Sequence, residues 1–393
     1  MNSTDARRPG YYAADYCDLE AFKALTSQTL DGSTLRFAAS VEKNVPVYDI
    51  DVLRPRFSDQ EFRYQIMAEW ADILQHSAGV LVLKNAYDDT SAIDAATKVY
   101  EDIIAREKEA PGGGADHFAA AGKNDRVWNS LQKLCEHAPE TFVQYFANPA
   151  IDTMCEAWLG PNYQMTAQVN LVHPGGGAQL AHRDYHLGFQ SAGISATYPA
   201  HVHDLSPLMT LQGGIAHCDM PVESGPTRLL PFSQQFRSGY AAWRRVDFRA
   251  HFEQHHIQLP LKKGDAIFFS PALFHAAGAN DSEDIHRFVN LLQISSPFGR
   301  AMETVNRKKM CQILYPHIRK AFESGALSES RLQAVIAASA EGYSFPTNLD
   351  LDPPVGGLAP ETQQALLHKA VHAGWSEHAF SRELTAQEER KRA

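Results

Sequence analysis

The sequence lacks the features of membrane, disulfide-rich and nucleic-acid-binding proteins. No stretch approaches the ~18 continuous apolar residues of a membrane helix. No apolar segment follows the two N-terminal arginines, so no secretory signal is predicted. The five cysteines are scattered without a CxxC pair, as in a reduced, cytoplasmic protein. Asp and Glu (46) outnumber Lys and Arg (36), which disfavours nucleic acid because that partner needs a basic face, whereas a small anionic substrate needs only one or two local cations.

What is present is an ordinary globular composition, with 44% hydrophobic and 21% charged residues and no internal repeat. Residues 1–57 show little periodicity and predict an N-terminal arm or cap. From Ser58, apolar residues recur at spacings of three and four, which predicts a helix ahead of a short buried strand at Val80–Leu83. A second helix is predicted over 90–109, ended by the glycine-rich loop Pro111–Gly114.

The middle of the chain changes character. Residues 164–298 contain short apolar runs separated by turn residues, which predicts a β barrel or double sheet. Helical spacing returns from Arg300, and a Pro/Gly-rich linker at 352–357 separates it from a helix over about 360–372 and a charged tail. We therefore expect an α+β protein with a mainly β core over 58–299 and a helical C-terminal extension over 300–393.

The sharpest local pattern is His182-Arg183-Asp184. Residues two apart on an extended strand point to the same face, so one imidazole and one carboxylate can converge on a single ion. This pattern alone is weak evidence, because the chain has 18 histidines.

A third candidate ligand follows about ninety residues later. Gly264-Asp265 is typical of a turn into a buried strand, and His275 comes near the end of that strand. Two histidines and one carboxylate on one side of an ion leave its other positions open, which is the ligand set of non-haem iron oxygenases. Zinc more often takes thiolates or three histidines, and no cysteine is near in sequence.

Arg287 lies twelve positions after His275, on the strand predicted to return beside it. It shares a face with Val289, Leu291 and Gln293, and a charged group on an inward apolar face needs a partner. A guanidinium suits a carboxylate through paired hydrogen bonds, so the far carboxylate of 2-oxoglutarate fits. The alternative is a surface arginine at the end of a hairpin.

Taken together and in order, these motifs resemble the phytanoyl-CoA dioxygenase family over about residues 60–298. The matching segments are Gly79–Leu83, His182-x-Asp184, Glu223-Ser-Gly-Pro226 leading to Pro231-Phe-Ser-Gln234, Gly264-Asp265, His275 and Arg287. The chain departs from the family at Pro231–Gln234, where the family usually has Pro-Gly-Ser-His. The resemblance implies a double-stranded β-helix, a cupin-like jelly roll, flanked by N-terminal and C-terminal helices.

The resemblance also implies an activity. Iron(II) would be held by His182, Asp184 and His275, and the co-substrate 2-oxoglutarate by Arg287. The implied enzyme is a dioxygenase that consumes O2, releases succinate and CO2, and most simply hydroxylates an unactivated C–H bond of a small-molecule substrate. Ascorbate is a reductant for such an assay in vitro.

Further candidates are less specific. Thr166, Gln168 and Asn170 alternate with apolar residues, either on a half-exposed strand or facing inward, where Gln168 or Asn170 would contact 2-oxoglutarate. Other candidates for substrate contact follow the glycine loop or flank the His-x-Asp pair: Lys123, Arg126, Trp128, Tyr185 and His186. For Trp128 the alternative is a core residue, for Lys123 and Arg126 solvated charges, and His217 is interpreted as structural.

The same residues bear on three rival functions. A JmjC-type hydroxylase usually anchors 2-oxoglutarate with lysine, and a halogenase has a small residue in place of the carboxylate, so Arg287 and Asp184 argue against them. A non-catalytic cupin-like metal-binding or sensor protein would need neither the full triad nor Arg287. The sequence does not select a substrate, an oligomeric state, or hydroxylation over desaturation or cyclisation.

Overall fold

The computed structural model describes residues 9–109 and 122–393 of the protein. Its centre is an eight-stranded sheet in the order β1-β2-β3-β8-β6-β10-β5-β4, accompanied by a two-stranded sheet of β7 and β9. The strands are β1 (Ser40–Glu42), β2 (Val45–Asp49), β3 (Val80–Lys84), β4 (Asn124–Val127), β5 (Gln164–Val172), β6 (Thr210–Ala216), β7 (Arg228–Leu230), β8 (Ala266–Phe269), β9 (Phe274–Ala276) and β10 (Arg287–Ser295). All pairings are antiparallel except that of β2 with β3.

Helices precede, interrupt and follow the strands. They are α1 (Leu19–Thr26), α2 (Ile50–Leu53), α3 (Gln60–His76), α4 (Ser91–Glu109), α5 (Ser130–His137), α6 (Pro139–Phe146), α7 (Pro149–Leu159), α8 (Ala192–Ser195), α9 (Ala200–Leu205), α10 (Gly239–Ala242), α11 (Val246–His255), α12 (Arg307–Glu323), α13 (Glu329–Ser339), α14 (Gln363–His372) and α15 (Glu377–Arg390). In the described part of the chain, none of these helices has the length and apolar character required to cross a membrane.

The register of the large sheet gives it two unlike faces. Directly paired residues lie on the same face, so Leu292 of β10 shares the back face with Ala167 of β5 and Gly213 of β6. This back face is mainly apolar and packs in the main core against α3, α5, α7 and α13. The opposite, front face carries polar side chains that are nevertheless buried: Thr166, Gln168, Asn170, Gln212, Arg287 and Gln293.

The front face is covered by the small sheet and by the segment before α8. Asp184 of that segment contacts Gln212 of β6, and the segment is bridged to β9 between His182 and His275. The α+β class with a β core flanked by N-terminal and C-terminal helices is therefore confirmed, as a double-stranded β-helix with one long and one short sheet. Because the front face is buried, its polar groups need hydrogen-bond partners within the chain or from a ligand.

Parts of the predicted secondary structure are wrong. The β region contains α8 to α11 as well as strands, and the charged tail forms α15, whose buried Phe380 and Leu384 pack against α12 and α14. Residues 182–184 form one bridge and not a strand, because the neighbouring Tyr185 has a positive φ that ends extended structure. β10 pairs with β5 and β6 and not with β9, so Arg287 returns to the other sheet from His275.

The domain boundaries stay predictions. β1 and β2, within the predicted arm of residues 1–57, extend the large sheet through β3. The helices after residue 299 pack on α5, α6 and α7, which belong to the predicted core domain. The predicted loop Pro111–Gly114 lies outside the described residues.

A buried ion pair joins α3 to α7 behind the sheet. The guanidinium of Arg63 lies 3.2 Å from Asp152 and 2.5 Å from Glu156. Tyr163 donates a hydrogen bond of 2.9 Å to the other oxygen of Asp152. Burial raises the pKa of the Asp152 carboxyl against the opposing effect of Arg63, so this carboxylate depends on its cation.

We expect Arg63→Met to lower the free energy of unfolding by about 3–5 kcal/mol, because it leaves Asp152 buried without its cation. Urea unfolding of the full chain would measure this loss. Arg63→Met combined with Asp152→Asn should be more stable than Arg63→Met alone, since the amide oxygen still accepts the Tyr163 hydroxyl. The exposed Arg382→Met is the matched control, and an equal loss in that variant would contradict the role of the ion pair.

Candidate metal centre

Two histidines from distant parts of the chain are held side by side by the backbone. The N–H of His182 donates to the carbonyl of His275 at 3.0 Å, and the N–H of His275 donates back at 3.1 Å. As an opposed pair in an antiparallel bridge, they project to the same face. Their ring centroids are 4.5 Å apart.

Asp184 completes a cluster with these two rings. Its Oδ1 lies 3.5 Å from Nε2 of His182, and its Oδ2 lies 3.4 Å from Nε2 of His275. The three side chains offer ligand atoms that all lie within 4.8 Å of one another. Atoms that each sit ~2.0–2.2 Å from one ion are about 3–3.6 Å apart, so the cluster fits one metal ion.

The outer nitrogens of both rings are fixed by the chain itself. Nδ1 of His182 lies 2.8 Å from the carbonyl oxygen of Leu180, and Nδ1 of His275 lies 2.8 Å from that of Leu273. A carbonyl can only accept, so each Nδ1 carries a proton and each Nε2 is the ring nitrogen that faces Asp184. Hydrogen bonds of this kind orient metal-binding histidines. Burial lowers the pKa of His182, which favours the neutral ring that a metal requires.

Asp184 is held as a carboxylate. Burial alone would raise its pKa, but the facing His182 and His275 and a hydrogen bond from Gln212 outweigh burial and lower it well below its usual range. Nε2 of Gln212 donates to Oδ2 of Asp184 at 2.5 Å. The Tyr240 hydroxyl donates to the main-chain carbonyl of Asp184 at 3.0 Å, which fixes the backbone beneath the carboxylate.

Arg183, between the two ligand candidates, points the other way and is fully buried. Its guanidinium donates to the carbonyls of Ser233 at 2.6 Å and Phe236 at 2.9 Å. A Cβ at Gly239 would overlap this guanidinium, so a larger residue there would displace the Arg183 side chain. Arg183 therefore ties the His-x-Asp segment to the loop that follows β7.

Sequence reasoning missed Arg183, Gln212 and Tyr240. Only Gln212 left a signal in the sequence, as a glutamine within Leu211–Ala216, whose other residues are apolar or small. Such a residue in a buried strand needs a hydrogen-bond partner, and here the partner is Asp184. The partners of Arg183 and Tyr240 are main-chain carbonyls, which leave no trace in side-chain patterns.

Arg287 is buried on the front face, with 4% of its surface exposed. Its guanidinium donates to the carbonyls of Ser224 at 2.9 Å and Gly278 at 3.2 Å, and it has no carboxylate partner among the described residues. Burial lowers its pKa to about 10, which still leaves it charged near neutral pH. Gly278 is three residues beyond His275, a chain distance of at most about 10 Å, so the cation lies near the cluster.

Gln168 and Asn170 share the front face with Arg287, and both are buried. Gln168 accepts a hydrogen bond of 3.2 Å from Arg126, whose guanidinium lies 5.1 Å from the centre of the Trp128 ring. The Oδ1 atom of Asn170 is buried without a hydrogen-bond partner in the described ranges. The burial of these residues therefore matches the alternative in which the polar face of β5 points inward.

The other predicted substrate contacts differ in their burial. Tyr185 has a left-handed φ of 62°, is buried, and donates its hydroxyl hydrogen bond to Gln293 on the front face. His186 is exposed, and its Nδ1 lies 3.5 Å from the Ser206 hydroxyl. Lys123 is exposed, whereas Arg126 and Trp128 are half-buried beside Gln168.

His217 lies on the back face, as its structural interpretation requires. Its Nδ1 pairs with the Thr97 hydroxyl and its Nε2 with the Tyr145 hydroxyl, both at 2.8 Å. Burial lowers its pKa to about 3, so it stays neutral. It belongs to a hydrogen-bonded network between the sheet and the helices and not to the metal cluster.

Comparison with known proteins places these features in a family. The sequence model of phytanoyl-CoA dioxygenase matches residues 75–288. Dioxygenase andF of Emericella variicolor is 23% identical over 217 residues, covering 53% of this chain and 67% of that protein. Dioxygenase trt7 of Aspergillus terreus is 26% identical over 147 residues, covering 37% of this chain and 46% of that protein, less than half its length.

Solved structures resemble the fold only in part. The non-haem α-ketoglutarate-dependent epimerase SnoN from nogalamycin biosynthesis overlays with a TM-score of 0.42 at 17% identity, covering 61% of this chain and 82% of that chain. EvdMO1 overlays with a TM-score of 0.43 at 16% identity, covering 59% and 50%. At these values neither structure supports an inference about the reaction of this chain.

We expect Gln212→Leu to weaken divalent-metal binding about 10- to 100-fold, because the carboxylate of Asp184 loses the donor that orients it. Titration of the metal-free chain with iron(II) under anaerobic conditions would measure this change. Gln312→Leu, at a glutamine of α12 whose amide contacts Ser381, is the matched control. Unchanged affinity in Gln212→Leu would show that the hydrogen bond does not orient Asp184.

Proposed function

This chain belongs to the phytanoyl-CoA dioxygenase family of 2-oxoglutarate-dependent oxygenases, and from that premise we propose that it is an iron(II)- and 2-oxoglutarate-dependent dioxygenase that hydroxylates a C–H bond of a small molecule. The observation that carries the proposal is the convergence of His182, Asp184 and His275 with both Nδ1 atoms already committed to carbonyls. That arrangement leaves three donor groups on one side of an ion and the opposite side free.

Iron would be held by Nε2 of His182, Nε2 of His275 and one oxygen of Asp184. When bound, iron(II) supplies the redox chemistry that couples decarboxylation of 2-oxoglutarate to oxidation of a C–H bond. No cysteine belongs to the cluster, so the ligand set favours iron over a structural zinc site. Gln212 and the two carbonyl contacts would keep these side chains in place in the metal-free chain.

The co-substrate would lie on the front face of the large sheet. Arg287 offers a buried charge without a carboxylate partner among the described residues, which suits the far carboxylate of 2-oxoglutarate. Asn170 offers a buried amide on the same face, and an amide can turn about its last bond to present its NH2 group or its oxygen. Gln168 is already engaged by Arg126, so we assign it a supporting place beside the co-substrate.

The substrate would enter on the side of His182, whose side chain is 22% exposed against 6% for His275. The Trp243 ring lies there, 6.5 Å from the His182 ring centre. Two guanidinium groups flank that indole, Arg244 at 4.0 Å and Arg249 at 5.3 Å, and Arg249 forms no ion pair with any described residue. A cation without an ion-pair partner at this entrance favours a substrate with an anionic group.

We expect Asp184→Ala to abolish succinate formation from 2-oxoglutarate while the Tm changes little, because one ligand is lost from a preformed site. The assay follows succinate by mass spectrometry with iron(II), ascorbate and a panel of small carboxylic acids. His201→Ala, at an exposed histidine, is the matched control. Normal turnover in Asp184→Ala would refute the metal site, and metal binding without any turnover in the unaltered chain would indicate the cupin-like binding protein instead.

We expect Arg287→Ala to weaken 2-oxoglutarate binding by roughly 30- to several-thousand-fold, corresponding to about 2–5 kcal/mol for a truncated buried charge pair. Arg287→Lys should restore only part of the affinity, because an ammonium cannot make the paired hydrogen bonds. Anaerobic calorimetry on the iron-loaded chain measures this without a known substrate. Unchanged affinity in Arg287→Ala would place the anchor elsewhere, with Asn170 the next residue to test.

A further inference from the structure

A second cluster of two histidines and one carboxylate lies at the surface of the C-terminal helices. Nε2 of His368 lies 2.8 Å from Oε1 of Glu329, and Nε2 of His372 lies 3.2 Å from the same oxygen. The two imidazole centroids are 4.4 Å apart. Among the described residues, this cluster and the one around Asp184 are the two groups whose ligand atoms converge closely enough for a metal ion.

Local structure dictates this convergence. His368 and His372 are four residues apart on α14, so they lie one above the other on one face of the helix. Glu329 is the first residue of α13, whose N-terminus is capped by the Ser328 hydroxyl. The contact between α13 and α14 brings the carboxylate to the histidine face. The pair of histidines at this spacing is the one that helical zinc sites use.

The spacing of the ligand atoms suits a metal ion. Donors that are each ~2.0–2.2 Å from zinc at tetrahedral angles lie about 3.3–3.6 Å apart. The observed 2.8 Å and 3.2 Å need only a few tenths of an ångström of movement, which exposed side chains allow. The remaining coordination positions would face water.

The charges around the cluster do not oppose a cation. In the described part of the chain, Glu329 has no lysine or arginine within ion-pair distance, and its partners are the two histidines. Lys369, the nearest cation along α14, is directed toward Glu361 and the Trp375 ring. His372 is the last residue of α14, where the helix dipole also favours positive charge.

We propose that Glu329, His368 and His372 form a second divalent-metal site, of the zinc type, that ties α13 to α14. The proposal does not rest on the oxygenase function, because none of these residues lies near the front face of the sheet. A metal here would join segments 39 positions apart, from Glu329 to His368, and would stabilise the C-terminal helices as bound ligands stabilise any folded state. Without metal, the same atoms form a histidine–carboxylate hydrogen-bonded group.

The test counts zinc on an untagged full-length chain. The first cluster is disabled by Asp184→Ala with His275→Ala, the chain is stripped with chelator and desalted, and ZnCl2 is added under equilibrium dialysis. We expect one equivalent of zinc to remain in this background and to raise its Tm. Adding His368→Ala or His372→Ala should remove that equivalent and the rise in Tm together.

His378→Ala in the same background is the matched control, because His378 is exposed on the neighbouring α15 and outside the cluster. It should keep the equivalent of zinc. Equal zinc binding with and without His368 and His372 would overturn the proposal, and so would the absence of zinc binding in the background variant. Far-UV circular dichroism checks that the background variant, which loses the buried His275 ring, keeps the fold, as do the variants at the exposed or half-exposed His368, His372 and His378.

Discussion

The site depends on one antiparallel bridge. Two backbone hydrogen bonds join His182 to His275, and they place side by side two imidazoles that are far apart in the chain. Everything else at the centre is arranged around that bridge. Arg183 holds the His-x-Asp segment through the main-chain carbonyls of the loop after β7, and Gln212 of the large sheet donates to Asp184. Loss of the bridge would separate the candidate ligands even if every side chain remained.

The large sheet can hold such a site because its back face packs in the core and its front face carries the polar groups. The back face is closed by apolar side chains and by a hydrogen-bonded network in which His217 is neutral and both its nitrogens are engaged. Within the described ranges, the front face retains polar groups that the chain itself does not satisfy, among them Oδ1 of Asn170 and the charge of Arg287. Buried groups of this kind are unfavourable unless a ligand binds them, which is the physical basis of the proposal that the co-substrate lies there.

The two histidine–carboxylate clusters show why donor type alone does not define a function. Both contain two imidazoles and one carboxylate. Around Asp184 the rings are oriented by carbonyls, and the facing imidazoles and Gln212 keep Asp184 a carboxylate although its burial opposes the charge. Around Glu329 the same groups are exposed to water on two helices, where a metal would serve to join the helices. Redox chemistry on a bound substrate needs the first environment, because only there can water be excluded.

The sequence by itself determined the helix–β–helix plan, the α+β class and the order of the motifs, because spacings of two, three and four follow from backbone geometry. It also singled out His182, Asp184, His275 and Arg287, since few residue types suit such a site. It did not determine that β10 lies in the other sheet from His275, that residues 182–184 are a single bridge, or that Gln212 contacts Asp184. Those features were decided by the tertiary structure, because strand pairing and buried polar contacts depend on which distant segments meet and leave no local period in the chain.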